Sequence, residues 1–207
     1  MTADTLDLLL PNGVMKLKSY SELSSIPWNH FRMWCHFNAR YGIPTIELVD
    51  WLKSAINGRS TIEIGSGHGD FAYHLGIKAT DSWVQQTNDV AKEFYAVTKQ
   101  PTVQYPDWVE KLEATEAVNK YKPEVVIASW VTHWVTPNRR PKNDVGSIFG
   151  VKEAQLLKRG IEYIFIGNLG PHEFKPIRDL PHEEINLPFL ISRAADQTKN
   201  RIMIWKP

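Results

Sequence analysis

The run Thr61-Ile62-Glu63-Ile64-Gly65-Ser66-Gly67-His68-Gly69-Asp70 constrains the fold more than any other part of this chain. Residues 61–64 read as a short buried strand. Three glycines in five positions follow at once, and a helical pattern then runs to about residue 75. Glycines at such a point let the backbone turn sharply and let another group approach the peptide plane with no Cβ in the way. A strand, a glycine turn and a helix form the first half of a βαβ unit. The helix start then presents backbone N–H groups to the polar end of a ligand.

The same texture repeats downstream. Strands are expected at 77–81, 102–105, 124–129 and 161–167, and helices at 88–98, 107–121 and 153–159. Alternation of this kind predicts βαβ units and a parallel sheet. The runs 187–192 and 201–205 are joined by a polar segment too short for a crossover helix, which predicts an antiparallel hairpin. Upstream, Asn12-Gly13 between two apolar runs predicts a small β-ribbon. Residues 27–41 and 44–56 read as helices, with Trp28, Phe31, Trp34 and Cys35 on one and Ile46, Val49, Leu52 and Ile56 on the other. The expected fold is α/β: a Rossmann-like, mostly parallel sheet with a C-terminal antiparallel hairpin, helices on both faces, and an N-terminal helical and β-ribbon extension. The extension is placed at 1–58 and the sheet domain at 59–207.

Composition narrows the function classes. The 207 residues carry a formal net charge of +1, so no global field recruits nucleic acid or an acidic membrane. One cysteine, Cys35, excludes an intramolecular disulfide and a thiolate-rich zinc site. No apolar run approaches the roughly 20 residues that span a bilayer, and the start is acidic rather than basic, so the cytoplasm is the default location. His172, His182 and Glu183 match no metal-ligand spacing, and no metal is expected.

The glycine spacing separates two ligand classes. The dinucleotide fingerprint is G-x-G-x-x-G. Here it is G-x-G-x-G, with Glu63 two positions before the first glycine. A carboxylate there would repel a pyrophosphate but suits a cationic ligand. In these residues the chain resembles the class I S-adenosylmethionine (SAM)-dependent methyltransferases, whose first motif is an acid, an apolar residue and G-x-G-x-G. The resemblance spans 59–207 as topology and is specific as a motif at 61–70. It implies SAM as the cofactor, held by Glu63, Gly65, Ser66, Gly67 and His68. It implies that Asp81, at the tip of the second strand, accepts the ribose hydroxyls. It places Asp107 on the adenine amino group with Trp108 packed on the purine, although Asp107 also reads as the N-cap of the following helix.

Ligands of such sheets lie beyond the carboxyl ends of the strands, so Ser129, Trp130 and His133 are expected at the methyl-transfer region. His133 is the first candidate for a general base and His172 the second. Arg139 and Arg140, in the polar loop after the fourth strand, and Asn168, after the fifth, are substrate-side candidates. The aromatic segment containing Trp34 and Tyr41 either folds over the cofactor, as such segments do in the resembled family, or packs on the sheet. No Asp/Asn-Pro-Pro-aromatic motif is present, which counts against amino methylation of a flipped DNA base. The expected function is methyl transfer to a small-molecule acceptor. The alternatives are a SAM-binding module without turnover and, behind it, an NAD-dependent oxidoreductase.

Overall fold

The computed structural model describes residues 6–136, 144 and 146–207. The chain opens with a ribbon turn in which Leu10 N–H donates to Val14 C=O (2.8 Å) and Lys16 N–H to Leu8 C=O (2.8 Å). Gly13 turns it at φ +80°. Then come α1 (Tyr20–Ser24), α2 (Trp28–Phe37), β1 (Gly42–Ile43) and α3 (Ile46–Ile56). Thr45 caps α3 by accepting from Leu48 N–H, and Asn57 ends it in the left-handed conformation.

The sheet domain follows as β2 (Thr61–Ile64), α4 (Asp70–Leu75), β3 (Lys78–Asp81), α5 (Val84–Thr87), α6 (Asp89–Val97) and β4 (Glu110–Lys111). Next are α7 (Ala114–Tyr121), β5 (Val125–Ser129), α8 (Glu153–Leu157) and β6 (Glu162–Asn168). The chain closes with β7 (Glu183–Ile185), β8 (Ile191–Ser192) and β9 (Asn200–Trp205). Seven strands form one sheet in the order β4-β3-β2-β5-β6-β9-β7. The first five are parallel, and β9 runs antiparallel to both of its neighbours. Among the described residues no helix is long and apolar enough to cross a membrane.

The strands are apolar on both faces because helices cover both. Successive side chains point to opposite sides. Val126, Ala128, Tyr163 and Phe165 pack with Ala117 and Val118 of α7 and Leu156 of α8. Val125, Ile127, Ile164 and Ile166 pack with Leu48, Leu52 and Ile56 of α3 and Phe71 of α4. The aromatic helix α2 forms a third cluster with the ribbon, Ile43 and Ile191.

Three expectations about elements are corrected. The third strand is β4 at Glu110–Lys111, not 102–105. Pro101 and Pro106 bracket the expected run, and a proline cannot donate to a ladder. Val103 is instead held by glutamines of α5: its N–H donates to Gln85 (2.9 Å) and its C=O accepts from Gln86 (3.1 Å). The helix expected at 107–121 shortens to α7, because residues 107–109 turn into the strand. The last strand pairs with β7, while β8 leaves the main sheet to pair with β1. Pro188 interrupts the run 187–192, and the chain turns there with Leu190 N–H on Leu187 C=O.

Candidate ligand site

One cavity of about 500 Å³ opens at the carboxyl ends of β2, β3 and β5. That volume lies inside the usual range for small-molecule sites, about 300–1,000 Å³. Its floor is the glycine turn. Gly65, Gly67 and Gly69 all have positive φ (+54°, +57°, +70°), which non-glycine residues rarely adopt. A Cβ on Gly65 would run into Val131, and one on Gly69 into the ring of Trp108.

Glu63, on β2, is 1% exposed and lines the cavity. One carboxyl oxygen accepts from Ala72 N–H (2.9 Å), and burial pushes the carboxyl well above its usual range. Asp81, at the tip of β3, reaches across to the turn: it accepts from Gly67 N–H (2.9 Å) and Trp83 N–H (2.9 Å). Burial raises its carboxyl too, against the lowering effect of those donors. The Tyr105 hydroxyl faces the same carboxyl, and its ring stacks on Trp83 at 5.2 Å.

Ser66 and His68 complete the turn in the cavity wall. Burial, and Arg40 after it, hold the His68 imidazole down at about 3. The Ser66 hydroxyl is buried with no hydrogen-bond partner among the described residues, and so is that of Ser129. Buried hydroxyls normally find partners, so two orphans on the wall of one cavity suit a polar ligand there. Trp130 follows Ser129 in the left-handed region at φ +59°. Its ring packs against Tyr41 (6.1 Å) and edge-on against His172 (5.0 Å).

The structure therefore brings Glu63, Gly65, Ser66, Gly67, His68, Asp81, Ser129 and Trp130 onto one wall. It places the other candidates elsewhere. Asp107 is exposed in the turn before β4, because the strand it was expected to follow lies after it. For the same reason it does not cap α7, whose N-cap is Glu113. Trp108 packs on Tyr73 (5.8 Å) behind Gly69 and is not among the lining residues.

His133 and His172 also lie behind the wall rather than on it. His133 is 2% exposed and sits 3.1 Å from Asp144, which also accepts from Gly146 N–H (2.7 Å). Burial lowers the His133 imidazole, with Lys175 adding to the effect. His172 is 1% exposed between Trp130 and Phe165, accepts from Asn168 N–H (3.1 Å), and is held at about 3 by burial. Asn168 is buried and donates to Asp196 C=O (2.8 Å) and Asn200 (2.9 Å), so its amide ties β6 to the end of the chain. Arg139 and Arg140 lie outside the described residues. Among the described residues no cluster of three or more His, Cys, Asp or Glu is placed to hold a metal ion.

Several lining residues had no motif to announce them. Arg40 forms a buried ion pair with Asp70, which also accepts from Met15 N–H (2.8 Å). Tyr41, Val90, Phe94, Tyr95, Ile148 and Phe149 give the cavity an apolar and aromatic outer part. The one legible signal was the pairing of Tyr41 with a helix rich in aromatics just before the sheet.

No family model and no curated protein matches this sequence. Among solved structures, the chain is similar to the Pyrococcus abyssi tRNA (uracil-54, C5)-methyltransferase in complex with S-adenosyl-L-homocysteine. The identity there is 14% and the TM-score 0.38, over 77% of this chain and 36% of that one. It is also similar to Thermoplasma acidophilum 1320, at 16% identity and TM-score 0.35, over 77% and 87% of the two chains. A third similar structure, SMU.776 complexed with S-adenosylhomocysteine, has 6% identity and TM-score 0.34, over 71% and 44%. The chain thus spans about a third of the first of these proteins and under half of the third. The fold itself is α/β and Rossmann-like: five parallel strands, a closing antiparallel pair, and a G-x-G-x-G turn at the carboxyl edge of the middle parallel strand.

Proposed function

We propose that this chain is a SAM-dependent methyltransferase acting on a small molecule. One observation carries the reading: Glu63, the glycine turn and Asp81, from two adjacent strand tips, line the same cavity as Ser129, the last residue of β5, and Trp130 just after it. An acid on the cationic side of the ligand and a second acid one strand over is what a nucleoside with a charged amino-acid tail requires. A pyrophosphate would meet Glu63 unfavourably.

In this reading Glu63 faces the cofactor's cationic end, and the backbone of residues 65–67 cradles it. Asp81 takes the ribose hydroxyls while its other contacts keep the carboxyl in place. Val103 and Tyr105 close the base side. When bound, SAM supplies a methyl group on a sulfonium, and the C–S bond breaks as the bond to the acceptor forms. Such a displacement depends mainly on alignment and exclusion of water. That is what the wall of residues 129–132 supplies. His133 and His172 act as positioning residues: His133 pins Asp144 and the loop end at Gly146, and His172 backs the Trp130 ring. A proton released by the acceptor passes to water at the cavity mouth.

Calorimetry with SAM, S-adenosylhomocysteine and NAD tests the reading. The two SAM-related ligands are expected to bind and NAD not to. Binding of NAD without either of them would overturn it. Transfer itself is read with radiolabelled SAM across a metabolite panel; binding without any transfer would favour a SAM-binding module.

A further inference from the structure

The outer part of the cavity is built for an acceptor of one kind. Val90 and Phe94, on α6, are 63% and 57% exposed yet line the opening, and Ile148, after β5, is 49% exposed and lines it too. Large apolar side chains left in water around a single opening mark a binding surface. Behind them Tyr41 and Tyr95 meet through their hydroxyls, and Tyr41 packs on Trp130. Trp130 is the strained member. A bulky residue rarely sits at φ +59°, and such outliers cluster at functional sites. The surroundings enforce it: a Cβ on Gly42 would strike Ser129 and the Trp130 ring, so glycine there lets the β1 backbone close on the indole.

Charge selects further. Glu63, Asp70 and Asp81 line the same cavity, and Arg40, the cationic side chain among the described lining residues, is engaged by Asp70. An anionic acceptor would meet carboxylates. A protonated amine would have no lone pair to offer and would face a sulfonium. We propose, resting on the methyltransferase reading, that the acceptor is an uncharged, ring-bearing apolar molecule seated against Trp130, with Ile148 and Phe94 as its apolar rim.

The test is calorimetry on the full chain saturated with S-adenosylhomocysteine, using 2-naphthol and 2-naphthoate as probes. Naphthol is expected to bind at least tenfold more tightly than naphthoate. Ile148→Asp, at an exposed position, should weaken naphthol at least tenfold and leave S-adenosylhomocysteine affinity within twofold. Val97→Ala, exposed on α6 and off the cavity, should change neither. Equal or tighter binding of naphthoate, absence of naphthol binding in the saturated protein, or an Ile148→Asp variant with unchanged naphthol affinity would each overturn the proposal. Failure of S-adenosylhomocysteine to bind at all would instead sink the methyltransferase reading beneath it.

Discussion

Glu63 is the residue whose protonation the site puts most directly at stake. Its carboxyl is buried, and burial holds it well above the ordinary carboxylate range. A cationic ligand beside it favours the carboxylate, and binding should therefore release a proton. Titrations with SAM in two buffers of different ionisation enthalpy are expected to differ in the sense of proton release, and Glu63→Gln should abolish the difference. Asp81→Ala should weaken SAM tenfold or more; an unchanged affinity would remove its ribose role. His172 gives a stability prediction with a definite sign. Its folded value of about 3 lies below the ordinary imidazole value of 6.5, so the unfolded chain binds the extra proton between them. The contribution is complete above about pH 6.5 and is lost as the pH falls toward 3, by about 1.4 kcal/mol per pH unit within that window. Urea midpoints across pH 4–7 should show a shallower acid limb in His172→Phe.

At the scale of elements, the glycine turn, β2, β3, β5 and β6 were legible because each couples a short apolar run to a punctuating residue. The base side of the cavity was not. Residues 102–105 alternate like a strand, yet prolines at both ends deny them a ladder, and the two glutamines of α5 satisfy Val103 in its place. Side-chain amides substituting for a neighbouring strand leave no periodic trace. The misplaced third strand carried Asp107 and Trp108 with it. The aromatic rim was equally silent, since Phe94 and Tyr95 on a short helix look like any amphipathic face. Gln85→Ala tests the substitution directly. Val103 N–H would be left buried without its acceptor, which costs about 1–3 kcal/mol. A drop of that size in urea stability, with a several-fold loss of S-adenosylhomocysteine affinity, is expected; a neutral variant would show that the loop is held by other means.

For the whole molecule the question is whether the segment before residue 59 is an appendage or part of the core. Two links argue for the latter. The buried Arg40–Asp70 pair joins the end of the aromatic segment to the first residue of α4, and α3 forms part of a helical layer on one sheet face. Leu48, Val49, Leu52 and Ile56 are all buried, and Leu48, Leu52 and Ile56 pack against strand residues such as Ile127 and Ile164. Fully burying an aliphatic side chain of this size stabilises by about 1.5–3 kcal/mol. Four of them together amount to about 6–12 kcal/mol of gross burial, before the entropy of ordering α3 is set against it. The sheet without α3 would also expose Val125, Ile127, Ile164 and Ile166 as one apolar face. A fragment of residues 59–207 is therefore expected to be insoluble or to lack a cooperative thermal transition, whereas the full chain unfolds in one step. Arg40→Met, which leaves the buried Asp70 without its cationic partner, should lower stability by about 3–5 kcal/mol without splitting that step in two. A fragment that folded cooperatively and bound S-adenosylhomocysteine, or an Arg40→Met variant with two separate transitions, would make the first 58 residues an independent unit and remove α3 from the core.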